Sequence, residues 1–144
     1  MATQVFINLP VKDLKKTMDF FAALGFEFNP QFTNDDAACM IINEGASYAM
    51  LLREEFFKTF IKKDIADATK TTEVLICLSR DSVEEVKDMV NKAVAAGGTL
   101  YSEPMDHGFM YQHAFADLDG HLWEVMFMDM SKVPADVHQA AETN

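Results

Sequence analysis

Basic residues are scarce: the chain carries 12 Lys and Arg against 23 Asp and Glu, a formal net charge of −11. Nucleic-acid backbones and anionic membranes would both be repelled, so neither is expected as a partner. No apolar run approaches the ~20 residues that a membrane span needs. The opening residues, Met-Ala-Thr-Gln-Val-Phe-Ile-Asn, hold no basic segment followed by a long apolar stretch, so no secretory leader is expected. Cysteine is limited to Cys39 and Cys77, in apolar stretches without metal-type spacing. Both are expected as reduced core thiols rather than a disulfide, which makes the cytoplasm the expected location. A Gly-rich phosphate loop, a Cys-x-x-Cys pair and a nucleophile elbow are all missing, and those chemistries lose their motif support.

What the sequence does hold is an internal echo. Val5-Phe-Ile-Asn-Leu reads almost like Val74-Leu-Ile-Cys-Leu, with apolar residues at period two in both. That alternation predicts strands packed on one face. Each runs into a helix-start signal: Asp13 before Leu14, and Asp81 three residues before Glu84 in a pattern resembling a capping box. Leu14, Met18 and Phe21 share one helical face, and Gly25 follows Leu24 as a stop. Val83, Val86, Val90 and Ala93 form the second stripe, ended by Gly97-Gly98.

Strand-like runs follow each helix, at 26–32, 37–42 and 47–52 in the first half and at 99–102, 111–117 and 121–128 in the second. Glu44-Gly45 and Asp119-Gly120 mark the hairpin turns. The pattern is βαβββ twice, about 3–52 and 72–130, joined by a connector over 53–71. The expected architecture is one α+β domain over 1–130, two modules forming a curled mixed sheet around a cavity, with a peripheral tail at 131–144. In the connector, Phe56, Phe57, Phe60 and Ile61 make a helical stripe beside Lys58, Lys62 and Lys63. It suits either a helix packed on the sheet or a second subunit, or a lid over a cavity.

These residues resemble a known family. Leu9-Pro-Val-Lys-Asp-Leu14, then Phe20-Phe21 and Leu24-Gly25-Phe26, is similar to the opening of vicinal-oxygen-chelate proteins, the glyoxalase/bleomycin-resistance/dioxygenase group. Asp117-Leu-Asp-Gly-His-Leu-Trp-Glu124 resembles their closing strand. The resemblance spans roughly residues 4–130. It implies a homodimer and, in metal-dependent members, one ligand from the first and one from the last strand of each module. Those positions fall at Phe6, about Leu51 (or Ala49), Leu75 and Glu124. Only Glu124 is a competent ligand, since a divalent cation needs several N, O or S donors. Nearby Gln4, Asn8 and Glu73 do not complete a set, so no metal centre and no cofactor are expected.

Strand parity gives a cavity list. If Val5, Ile7 and Leu9 pack on the helix, Phe6 and Asn8 point the other way; the same logic sends Leu75 and Cys77 inward, and aligns Glu124 with Leu122 and Met126. Glu124 reads either as a satisfied carboxylate or as a general base. A two-residue turn at Asp119-Gly120 would place His113 on the Glu124 face, about 7 Å away; a three-residue turn would place it opposite. His107 and Tyr111 border a loop made flexible by Gly108 that could close over a ligand. The leading expectation is a protein binding a small molecule in an apolar cavity, with Glu124 and His113 as candidate catalytic residues and Phe6, Asn8, Leu51, Leu75, Cys77, Met126, His107 and Tyr111 as candidate ligand contacts. The alternatives are a metal-dependent lyase, isomerase or dioxygenase using Glu124, and an interaction module whose cavity is filled by its own side chains.

Overall fold

A computed structural model describes residues 2–134. The architecture is α+β: two four-stranded mixed sheets, each backed by one helix. The first holds β1 (Val5–Val11), β2 (Glu27–Phe28), β3 (Ala37–Asn43) and β4 (Ser47–Arg53), in the order β1-β4-β3-β2, with helix α1 (Leu14–Ala23) on β3 and β4. After a short helix α2 (Glu54–Phe57), the second holds β5 (Leu75–Ser79), β6 (Met105–Asp106), β7 (Met110–Ala116) and β8 (Leu122–Met128), in the order β5-β8-β7-β6. Helix α3 (Val83–Ala95) lies on β7 and β8. In both sheets the first strand pairs parallel with the last, so the echo in the sequence is an echo in topology.

The chain divides into two compact units, Met1–Thr72 with Asp117–His121, and the remainder from Glu73. The first unit takes in the connector, and with it the β7–β8 turn, although both strands that this turn joins lie in the second.

Local chemistry explains the helices. Asp13 caps α1 by accepting from the Lys16 amide at 3.1 Å, a bond worth about 1 kcal/mol. The cap of α3 is displaced by one residue from the expected Asp81. Ser82 accepts from the Glu85 amide at 3.1 Å, and the Glu85 carboxylate accepts from the Asp81 amide at 2.9 Å. Gly25 and Gly97, both at positive φ, follow the helix ends. The buried faces meet the sheets: Phe20, Phe21 and Leu24 against Leu9, Val11, Met40 and Leu51 in the first unit, and Val86, Val90 and Ala93 with Ile76, Phe115, Trp123 and Val125 in the second. Each buried Val, Leu, Ile, Phe or Met among them contributes about 1.5–3 kcal/mol by leaving water.

Three expected elements differ. The run 26–32 forms strand only at Glu27–Phe28, because Asn29 caps a 3-10 turn at Pro30–Phe32, where proline's fixed φ suits the first helical position. The run 99–102 supplies one bridge, Thr99 to Ala116, and the edge strand is Met105–Asp106 instead. The connector's aromatic stripe makes only α2 and a 3-10 turn, Lys58–Phe60. Phe56 and Phe60 meet edge-on at 5.1 Å, α2 packs on β1 and β4, and Phe60 stays 67% exposed. No described helix is long and apolar enough to cross a membrane. Of the tail, the described part includes a 3-10 turn at Met130–Lys132; the rest lies outside the described residues.

The β7–β8 turn is held by several side-chain hydrogen bonds. Asp117 accepts from the amides of Asp119 and His121, both at 3.0 Å. Asp119 accepts from the Lys12 amide at 2.9 Å and the Thr17 hydroxyl at 3.4 Å. His121 is half-buried, and its Nε2–H donates to the Pro10 carbonyl at 2.7 Å. Gly120 has φ +90°, and a Cβ there would lie 2.8 Å from the Ala68 carbonyl oxygen. Gly45, at φ +81°, faces open space. Gly45→Ala should therefore cost only the left-handed backbone penalty, about 1–2 kcal/mol, and Gly120→Ala clearly more, because the Ala68 backbone must also shift. Urea unfolding of the two variants checks the order; equal losses would contradict it.

Candidate functional site

In the first unit, parity sorts the side chains as the sequence proposed for β1. Phe6 and Asn8 lie opposite Leu9 and Val11, which are buried on the α1 side. Register then assigns β4. Tyr48 pairs with Phe6 and Met50 with Asn8, so these share the Phe6 face. Leu51 pairs with Leu9 and is fully buried. Its assignment as a ligand contact is corrected: a one-residue slip along β4 turns the side chain into the core. Ala49 is on that same core side.

On the outer face of this sheet is a hollow of about 270 Å³ lined by Phe6, Asn8, Phe32, Cys39 and Met50. Phe32 arrives there because the Asn29-Pro30 turn ends β2 early. Phe6 is half-exposed and stacks on Tyr48, ring centroids 4.8 Å apart and planes 11° from parallel. The Tyr48 hydroxyl accepts from the Gly45 amide at 2.7 Å, which fixes the lower ring. Burial, then the charge of Glu44, pushes the Cys39 thiol above its ordinary pKa, so it stays protonated.

In the second unit, Leu75, Cys77 and Ser79 pair with Leu122, Glu124 and Met126, and all six share the face away from the buried Ile76, Leu78, Trp123 and Val125. Cys77 is thus exposed rather than a core thiol, and neither cysteine is in a disulfide. Across β7, Glu124 pairs with Ala114 and Met126 with Gln112. The residue that meets Glu124 is Gln112, whose Nε2–H donates to its carboxylate at 2.8 Å. A hollow of about 230 Å³ here is lined by Tyr101, Ser102, Glu103, Met105, Gln112, His113, Ala114 and Glu124.

His113 pairs with Val125, so its strand position faces the α3 side of the sheet; it nevertheless lines the same hollow as Glu124, with its Nε2 3.2 Å from the Ser102 carbonyl oxygen rather than on the carboxylate. Tyr111 has the same parity, with the Lys87 ammonium of α3 5.6 Å from its ring centroid, so it is corrected as a cavity contact. His107 sits at the β6–β7 hairpin tip beside Phe109, past the end of β7 from Glu124, and does not line the hollow. His138 lies outside the described residues. The β7–β8 turn has an odd number of residues, so it has the parity of the three-residue alternative, which puts His113 opposite Glu124. The same parity puts Gln112 on the Glu124 face, a consequence that reading the Asp-Gly pair for His113 alone did not draw.

The metal positions implied by the resemblance can now be tested against side chains. Phe6 and Leu75 offer no donor, Leu51 and Ala49 face the core, and Met50, beside Asn8, offers only a weak thioether. Glu124 alone is a hard ligand, and it is engaged by Gln112. Among the described residues no group of three or more His, Cys, Asp and Glu side chains gathers in one place. This donor set does not fit a family-type divalent centre.

Sequence and fold comparison agree on the lineage. A profile of the Glyoxalase/Bleomycin resistance protein/Dioxygenase superfamily matches residues 3–125, and the chain belongs to that superfamily. Among solved structures, hypothetical protein SA1046 from S. aureus is 32% identical, with 88% of this chain and 95% of that one covered and a TM-score of 0.73. A glyoxalase-related enzyme from Fulvimarina pelagi is 21% identical, covering 88% of each chain at a TM-score of 0.72. The fosfomycin resistance protein FosX from Listeria monocytogenes is also 21% identical, covering 88% of this chain and 93% of its own at a TM-score of 0.63. No curated protein gives a significant match.

Partial burial, then the negative charge of Glu124, raises the pKa of the Cys77 thiol; Tyr101 is raised by the same two causes. A raised thiol pKa means less thiolate at neutral pH and slow alkylation. Removing the Glu124 charge stabilises the thiolate, so Glu124→Gln should lower the Cys77 pKa and speed iodoacetamide modification at pH 8 severalfold. Mass-spectrometric rates at Cys77 across pH 7–10 check this, and an unchanged profile in the variant would refute the coupling.

Proposed function

We propose that this chain binds a small, largely apolar molecule on the outer face of its sheets and does so without a family-type metal. The observation that carries the reading is the 270 Å³ hollow whose lining, Phe6, Asn8, Phe32, Cys39 and Met50, is apolar except for one amide. A small-molecule site has this composition: a greasy wall with few polar handles, near the lower end of the ~300–1,000 Å³ range of ligand pockets. The Glu124–Gln112 pair gives the second sheet a polar handle of its own. Because the carboxylate is already hydrogen-bonded, it reads as a recognition group ahead of a general base. We further propose a homodimer in the cytoplasm. β1 and β5 are sheet edges carrying exposed Val5, Phe6 and Leu75, and such edges call for cover by another edge, of this chain or of a second copy.

Native mass spectrometry of gently purified protein should show dimers without stoichiometric metal. A thermal-shift screen should show no stabilisation by Mn²⁺, Ni²⁺ or Zn²⁺ and a dose-dependent rise with at least one apolar compound. A retained equivalent of divalent metal, or metal-dependent lyase or dioxygenase turnover abolished by Glu124→Gln, would overturn the reading.

A further inference from the structure

Phe6, at a position where the family resemblance would put a metal ligand, sits in an aromatic setting of its own. Phe6 lies parallel on Tyr48 at 4.8 Å. Tyr48 is buried and pinned through its hydroxyl to the Gly45 amide, whereas 49% of Phe6 is exposed. The upper ring is therefore a rigid platform, already oriented before any ligand arrives, which spares the ordering cost that a free side chain would carry. Phe32, 59% exposed, and Met50 border the same hollow and offer a second aromatic edge and a polarisable thioether. The remaining polar side chain in the lining, Asn8, makes one long contact through its amide nitrogen, 3.4 Å to the Phe6 carbonyl, leaving its carbonyl oxygen as an acceptor. No charged side chain lines the hollow, and the chain's net charge is −11.

We propose that the Phe6–Tyr48 stack is a recognition platform for planar aromatic ligands bearing a ring N–H or a delocalised positive charge, the flat ring lying on Phe6 and the N–H reaching Asn8. This rests on the small-molecule reading above and sharpens it to a ligand class. Stacking rewards flat rings, the exposed π face favours cations, and the acidic chain disfavours anions.

Three probes separate the ideas in isothermal titration at low salt: proflavine, a flat cationic heterocycle; 1-adamantylamine, cationic but globular; and anthracene-9-carboxylate, flat but anionic. Proflavine should bind one per chain at least tenfold more tightly than either of the others. Phe6→Leu keeps an apolar side chain but removes the ring, and should weaken proflavine about tenfold while leaving adamantylamine within twofold. Asn8→Leu should weaken proflavine several-fold. Far-UV circular dichroism and an unchanged melting temperature establish that each variant is folded. Equal proflavine affinity in wild type and Phe6→Leu, or binding of adamantylamine in preference to proflavine, overturns the platform and leaves the small-molecule reading standing. Failure of all three probes and of the wider apolar screen sinks both.

Discussion

Ala116 pairs with Leu122 across the five residues Asp117–His121, and side chains alternate along a strand with a period of two. Together these facts place Ala114 and Gln112 on the face of Glu124 and turn Tyr111 and His113 toward α3. A turn of even length would exchange the two sets, swapping an amide for an imidazole beside the carboxylate. Nothing else in the second sheet bears so directly on what chemistry its outer face can offer. The turn length is itself held by the Asp117 carboxylate, which gathers two amides inside the loop, and by the Asp119 and His121 anchors beyond it.

The same parity logic governs the first sheet, where it works through parallel pairing. Phe6 with Tyr48 and Asn8 with Met50 form one surface; Leu9 with Leu51 forms the other. The outer surface is apolar where relatives that use a metal would need oxygen or nitrogen donors. Apolar side chains at those positions cannot repay the desolvation of a divalent ion, but they do build a wall that a greasy ligand can displace water from. The superfamily membership thus supplies the scaffold, and the side chains decide its use.

Much of this was legible in the sequence because it follows from short-range rules. The duplication, the Asp13 cap, the glycine stops and the division of Phe6 and Asn8 from Leu9 each need only a few neighbouring residues to settle. What was hidden depends on counts or partners far along the chain. Leu51 was misplaced because the gap between α1 and β4 could not be measured from pattern alone, and one residue of error reverses a strand. The faces of His113 and Gln112 waited on the length of a turn whose Asp-Gly pair suggested something shorter. The Phe32 contribution to the hollow came from a proline ending a strand that hydrophobicity alone would have prolonged. Tyr48, buried and bonded to Gly45, gave no sign of forming the base of an aromatic stack.

Gly120 fits against the Ala68 backbone, and Asp119 and His121 are satisfied by Lys12, Thr17 and Pro10, all outside the module whose hairpin they close. The chain looks like one motif copied, yet the copies are no longer equal. The later half has handed the fastening of its own central hairpin to the earlier one. A fragment beginning at Glu73 would leave that bend without any of these four partners.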